Sequence, residues 1–165
     1  MTIETSGAAS TWADYHQFYL SPDGETFDWD GNAPNGVIEP LSGGGAVVVT
    51  GVYSGEVPYA WASHAERPVV DDRWDDVVEI VLDARSGDLR IEGWGGLGEG
   101  SENLATRGAG RYVVRCSARD RDAQYGRAYE TPGEAFRFDV WPALEGDAAE
   151  RIIRSSGFAE RHRSA

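Results

Sequence analysis

The strongest constraint on the fold is the stretch from Trp74 to Trp94, two alternating apolar runs around a short polar break. In the first run Val78, Ile80 and Leu82 alternate with Glu79, Val81 and Asp83; in the second Leu89 and Ile91 alternate with Arg90 and Glu92. Successive side chains of a strand point to opposite faces, so this period predicts one packed face and one mostly wet face. Arg85-Ser86-Gly87-Asp88, with a glycine able to adopt positive φ, reads as a hairpin turn between the runs. An isolated hairpin is unstable in water, so the other strands are expected to assemble on its apolar side.

Those strands are legible along the chain. Asp14-Tyr15-His16-Gln17-Phe18-Tyr19-Leu20 is aromatic-rich and predicts the first strand. Residues 21–40 are punctuated by Pro and Gly and read as a loop. Residues 46–53 form a nearly unbroken apolar run, which predicts burial on both faces. Residues 58–62 read as a further strand or its edge, because Pro58 lacks an N–H donor. Residues 110–117 place Tyr112, Val114 and Cys116 on one face; residues 134–141 turn Phe136, Phe138 and Val140 inward and end at Pro142. Asp147 reads as the N-cap of a short helix running to about Ser155, with Gly157 as its stop. The expected fold is mainly β: an antiparallel β-sandwich, jelly-roll-like or a partly open barrel, with one short C-terminal helix. The 165 residues are expected to form a single domain, with residues 1–11 and 158–165 flexible.

Charge narrows the partners. The chain has 28 acidic and 15 basic residues, every basic one arginine, for a formal net charge of −13. The imbalance is uneven: residues 1–66 hold nine acids and no basic residue. Such a field repels nucleic acid and anionic membrane and attracts basic proteins or cations. No apolar run reaches the length of a membrane span, and residues 1–11 lack the basic-then-apolar pattern of a signal peptide. A cytoplasmic protein is the resulting expectation. Cys116 is the sole cysteine, which excludes an intramolecular disulfide, and its alternation with Val114 and Tyr112 marks it as a core residue.

Chemistry-bearing patterns are sparse. No G-x-S-x-G signature occurs, and the glycine runs at 43–45 and 95–100 do not match a phosphate-binding loop, so no cofactor is expected. Asp28-Trp29-Asp30-Gly31-Asn32, with Glu39 eleven residues after Asp28, partly fits a calcium loop. Ala33 stands where the sharp turn needs glycine, Pro34 follows it, and neither flank reads as a helix, so an acidic turn explains it better. His16, beside Tyr15 and Phe18, fits a hydrogen-bonded structural histidine better than an acid–base catalyst. Aromatic side chains among carboxylates are the composition of a protein-binding hot spot. On that ground the candidate partner-binding residues are Asp71, Asp72, Trp74, Asp75 and Asp76, together with Asp28, Trp29 and Asp30.

The opening Tyr15-His16-Gln17-Phe18 resembles that of the competence protein J family, inhibitors of a bacterial competence nuclease. The order of later features is also similar: Asp28-Trp29, a middle strand pair, then a Gly-x-Tyr strand from Gly110 through Tyr112 to Cys116. The extension from Asp147 to Ala165 has no match in that pattern. The resemblance implies a small acidic β protein that is not an enzyme and that binds and inhibits a nuclease; it carries over no contact residues. The bottom-up expectation agrees: an inhibitor or immunity-type protein whose carboxylates occupy the basic groove of a nuclease or toxin. Two other readings stay open. One is a ligand-binding β-sandwich, for carbohydrate or with calcium at Asp28 and Asp30, using Trp29, Trp61 or Trp74 as stacking platforms. The other is an enzyme with His16 and a nearby carboxylate as acid and base.

Overall fold

A computed structural model describes residues 3–21, 33–41, 44–97, 99–123, 125 and 133–164. Ten strands follow in order: β1 Ile3–Asp14, β2 Gln17–Ser21, β3 Ile38–Pro40, β4 Ala46–Val49, β5 Ser54–His64, β6 Asp76–Ala84, β7 Arg90–Glu92, β8 Gly110–Arg119, β9 Ala135–Pro142 and β10 Glu150–Arg154. Helix α1, Gly157–Ser164, ends the chain. The expectation of a mainly β protein with one short C-terminal helix is borne out. The strands form one sheet in the order β10-β6-β8-β9-β5-β1-β2-β4-β3, with β7 also on β2. It is mixed rather than wholly antiparallel, because β5 and β9 run parallel from Tyr59↔Phe136 to Ser63↔Val140.

The sheet does not close into a barrel; it folds over at the turn between β1 and β2. Those strands pair only at Asp14↔Gln17 and then diverge. β1 continues along β5, from Asp14↔Ser54 to Ile3↔His64, while β2 is taken up by β4 and β7. The four-strand half β7-β2-β4-β3 is thereby laid against the six-strand half. Phe18 of β2 meets Phe136 and Phe138 of β9 edge-on, with ring centroids 5.2 and 6.0 Å apart. One buried cluster joins Leu20, Ile38, Val48 and Ile91 to Ile80, Val114 and Cys116. Burial pushes the Cys116 thiol far up, as befits a core side chain.

Four local expectations are corrected. Residues 14–20 are not one strand: Tyr15 (φ 52°) and His16 (φ 62°) are both left-handed and form the two-residue turn between β1 and β2. Residues 3–11, expected to be flexible, make up most of the longest strand. The hairpin from Trp74 to Trp94 does not form. Gly87 (φ 76°) does turn the chain, donating its N–H to the Ala84 carbonyl. The next run, however, is bound by Asn103, whose amide spans Leu89 N–H and the Gly87 carbonyl, and by Ser101, and is carried to β2. β6 pairs instead with β8 and β10, and its supposedly wet Glu79 is buried. Finally, residues 150–154 are strand, not helix. Asp147 caps a turn by accepting the Leu144 N–H at 2.7 Å, and helix α1 starts at Gly157, where a stop was expected.

A buried ion pair fastens α1 to both halves. Asp76 and Arg121 meet at 2.8 Å with 1% of each side chain exposed. Arg121 also donates to the carbonyls of Gly36 and Val49, and its guanidinium lies 4.2 Å from the Phe158 ring centroid. Asp76 accepts the N–H and hydroxyl of Ser156, the residue preceding α1. Gly36 (φ 75°) completes the seat: a Cβ there would stand 2.4 Å from the Ala159 carbonyl oxygen.

Two outcomes follow. Asp76→Ala leaves the Arg121 cation buried without its counter-charge, so urea denaturation is expected to show a loss of about 3–5 kcal/mol. Asp72→Ala, at a fully exposed carboxylate, is expected to stay within about 0.5 kcal/mol. Separately, burial, aided by the Glu99 charge, pushes the Tyr59 phenol from 10 up to about 12. The folded state then holds this proton more tightly than the unfolded state. The contribution is whole below pH 10 and is lost as pH rises through about 12. The alkaline fall of the urea midpoint is expected to be shallower in Tyr59→Phe.

Candidate partner-binding surface

The outer face of the six-strand half is a charge ladder. Arg151 of β10, Glu79 of β6, Arg115 of β8 and Asp139 of β9 stand opposite one another in register. Glu79 takes Arg67 at 2.6 Å, Arg115 at 2.9 Å and Arg151 at 3.5 Å. Arg137 and His64 bond Asp139 at 3.1 and 2.7 Å. Residues 66–75 cross this ladder as a strap, with the Pro68 and Val69 carbonyls accepting from Arg115.

The strap carries the expected acidic face, and arginines pin most of it. The Arg73 guanidinium holds the Asp71 carboxyl down at about 2. Arg154 grips the Asp71 and Trp74 carbonyls and lies 3.2 Å from Asp72, while Asp75 accepts the Asp120 N–H. Trp74 is buried with Arg119 5.3 Å from its ring centroid, so it is not an exposed anchor. Asp76 belongs to the buried pair with Arg121 and presents no surface at all. Asp72 and Asp75 alone of this group are exposed. Asp28, Trp29 and Asp30 lie outside the described residues, as does Asn32 of the calcium pattern. Among the described residues no three His, Cys, Asp or Glu side chains converge as metal ligands would.

Other sequence candidates also resolve. The Trp61 ring is buried against Gly7, so like Trp74 it offers no stacking platform. His16 Nδ1 faces the Thr50 carbonyl at 3.1 Å, a backbone partner rather than the carboxylate an acid–base pair needs. Among the described residues His64 pairs with Asp139, beside a cavity of about 220 Å³ shared with Arg73, Trp74 and Arg137. Sequence reasoning missed it because the two residues are 75 positions apart and meet only through the parallel β5–β9 pairing.

Sequence reasoning also missed an exposed aromatic cluster at the fold of the sheet. Tyr15, at the tip of the β1–β2 turn, is 56% exposed, and Tyr53 is 38% exposed. The Tyr15 ring centroid lies 5.6 Å from that of Tyr53 and 5.2 Å from that of Trp94. Beneath it Trp94 stacks on buried Tyr19 at 6.1 Å. Asp14, Glu56 and Glu92 lie on the strands that flank the cluster. Asp14 and Trp12 share the outward face of β1, Glu56 stands opposite Trp12, and Glu92 stands opposite Tyr19. Burial raises the Glu92 carboxyl, and Arg90, which acts on it, is itself bonded to Asp88 at 2.8 Å. The sequence signal was the density of aromatics in residues 12–19; the left-handed turn that exposes Tyr15 was hidden because neither Tyr nor His announces one.

No protein-family model matches the chain, and no curated protein matches it. Among solved structures it is similar to ComJ of Bacillus subtilis, an inhibitor of the DNA-degrading activity of NucA. The TM-score is 0.50 at 12% identity, covering 86% of this chain and 98% of ComJ. A crocagin biosynthesis J protein superposes with a TM-score of 0.48 at 12% identity, over 85% of this chain and 99% of its own. In fold, therefore, the chain is similar to ComJ, a member of the family that Tyr15-His16-Gln17-Phe18 resembles.

Proposed function

We propose that this protein is a non-enzymatic, acidic inhibitor of immunity type, which blocks a basic protein such as a nuclease. The observation that carries the reading is the likeness in fold, along nearly the whole of both chains, to a protein that inhibits a nuclease. The net charge of −13 supports it independently, because a groove built to hold a polyanion attracts a carboxylate-rich surface. No helix among the described residues is long and apolar enough to cross a membrane. The proposed setting is the cytoplasm, where an inhibitor protects the cell's own DNA.

Long-range attraction of this kind acts mainly on the rate of encounter. The chain, immobilised at low salt in a lysate of its native host and eluted by a salt step, is expected to release a basic nuclease. Stoichiometric addition of the chain should then abolish DNA cleavage by that enzyme. The association rate should fall about tenfold or more as salt is raised from about 0.05 to 0.5 M, while dissociation changes little. Cleavage that continues with the chain in excess would overturn the proposal.

A further inference from the structure

We propose that the cluster of Tyr15, Tyr53 and Trp94, with Asp14, Glu56 and Glu92 on its flanking strands, is the docking surface for the basic partner, engaging its arginine and lysine side chains. The inference rests on the inhibitor reading and assigns it a face.

Three observations converge. The first is local charge. Residues 1–66 contain no arginine or lysine, and of the arginines in the remainder Arg67, Arg73, Arg115, Arg137, Arg151 and Arg154 are committed to the ladder and strap of the six-strand half, while Arg90 is taken by Asp88 and Arg107 by Glu4. Among the described residues Asp14 and Glu56 have no ion-pair partner, and the Asp14 carboxylate accepts only the N–H of Tyr15 in its own turn. Among the described residues the end of the sheet where the chain folds over is thus acidic, whereas on the strap Asp71 and Asp72 are each met by an arginine. The second is the aromatic platform. Tyr15 and Tyr53 are open to solvent with Trp94 beside them, and tyrosine and tryptophan rings accept guanidinium and ammonium groups over their faces. Carboxylates at the rim complete a surface that selects a cationic protein over an apolar one.

The third is how Tyr15 is held. Two successive side-chain-bearing residues in the left-handed region are strained, and a turn of this shape would be easier with Asn-Gly. His16 absorbs the strain. Its N–H donates to the Tyr53 carbonyl, its own carbonyl accepts the Thr50 N–H, and its ring lies at the Thr50 carbonyl and 5.3 Å from the Tyr53 ring. The bracing adds nothing that glycine would not supply more easily, except a fixed position for the Tyr15 ring beside Tyr53 and Trp94.

Tyr15→Gly separates display from stability, because glycine relaxes the turn while removing the ring. Deca-arginine serves as the probe, at low salt, with amide and indole N–H chemical shifts mapping its position. The expected shifts cluster at Tyr15, Tyr53 and the Trp94 indole. Tyr15→Gly is expected to keep or raise the Tm while weakening the probe about tenfold. The pair Asp14→Asn and Glu56→Gln should flatten its salt dependence. Asp72→Asn with Asp75→Asn, on the strap, should leave both unchanged. Probe binding that is unaltered in Tyr15→Gly, or that maps to the strap, overturns this face and leaves the inhibitor reading standing. No binding of the probe even at low salt overturns the face and the charge-based reading together.

Discussion

The structure depends on one buried charge pair. Asp76 and Arg121 lie at the junction where β6 begins, where the chain leaves β8, where β4 ends and where α1 starts. A carboxylate and a guanidinium withdrawn from water are stable only if their remaining hydrogen-bonding capacity is met. Here the carbonyls of Gly36 and Val49, the Ser156 N–H and hydroxyl, and the Phe158 ring meet most of it, and Arg121 Nε alone of the pair's polar atoms is left without a hydrogen-bond partner. Those partners come from both halves of the folded sheet, so the pair specifies how the halves and the helix meet. An apolar substitute would pack there without that directionality.

The same economy of arginines shapes the surface. A chain of net charge −13 suggests a uniformly acidic exterior, but the fold sorts its charges. On the six-strand half, cross-strand register alternates Arg151, Glu79, Arg115 and Asp139, and the strap seals much of the ladder from solvent. At the far end, where β1 turns into β2, the described residues form no comparable ladder of cations. The electrostatic asymmetry is a consequence of topology: β1 to β5, drawn from the arginine-free first 66 residues, make up most of that end of the sheet, and Arg90 of β7 is taken by Asp88.

That end is also where the fold is made. The Tyr15-His16 turn is the only place where β1 and β2 pair, so a short strained hairpin bends a continuous sheet into two facing layers. The bend puts Phe18 inward onto Phe136 and Phe138 while leaving Tyr15 outward beside Trp94. Architecture and display arise from the same four residues, which are also those that resemble the competence protein J opening. A residue set with both tasks is under tighter physical constraint than either task alone imposes.

The sequence by itself determined the positions of most central strands and their apolar faces, though not β1, β10 or the turn at Tyr15-His16. The inward Phe136, Phe138 and Val140, the buried run expected over 46–53 (strand only as far as Val49) and the core thiol of Cys116 follow from alternation and apolar runs, because those are local properties of a pleated backbone. The mainly β class and a short C-terminal helix followed as well, though the helix lies beyond Gly157 rather than before it. Tertiary structure alone decided strand partners. The turn at Gly87 is real, but a turn does not oblige the flanking runs to pair when Ser101, Asn103 and β2 offer better partners. It also decided which carboxylates are available. Asp71, Asp72, Asp75 and Asp76 are adjacent in sequence, yet Asp76 is enclosed and Asp71 is held by Arg73. Charge along a chain counts residues, whereas a surface depends on which of them the fold has already neutralised with partners distant in sequence.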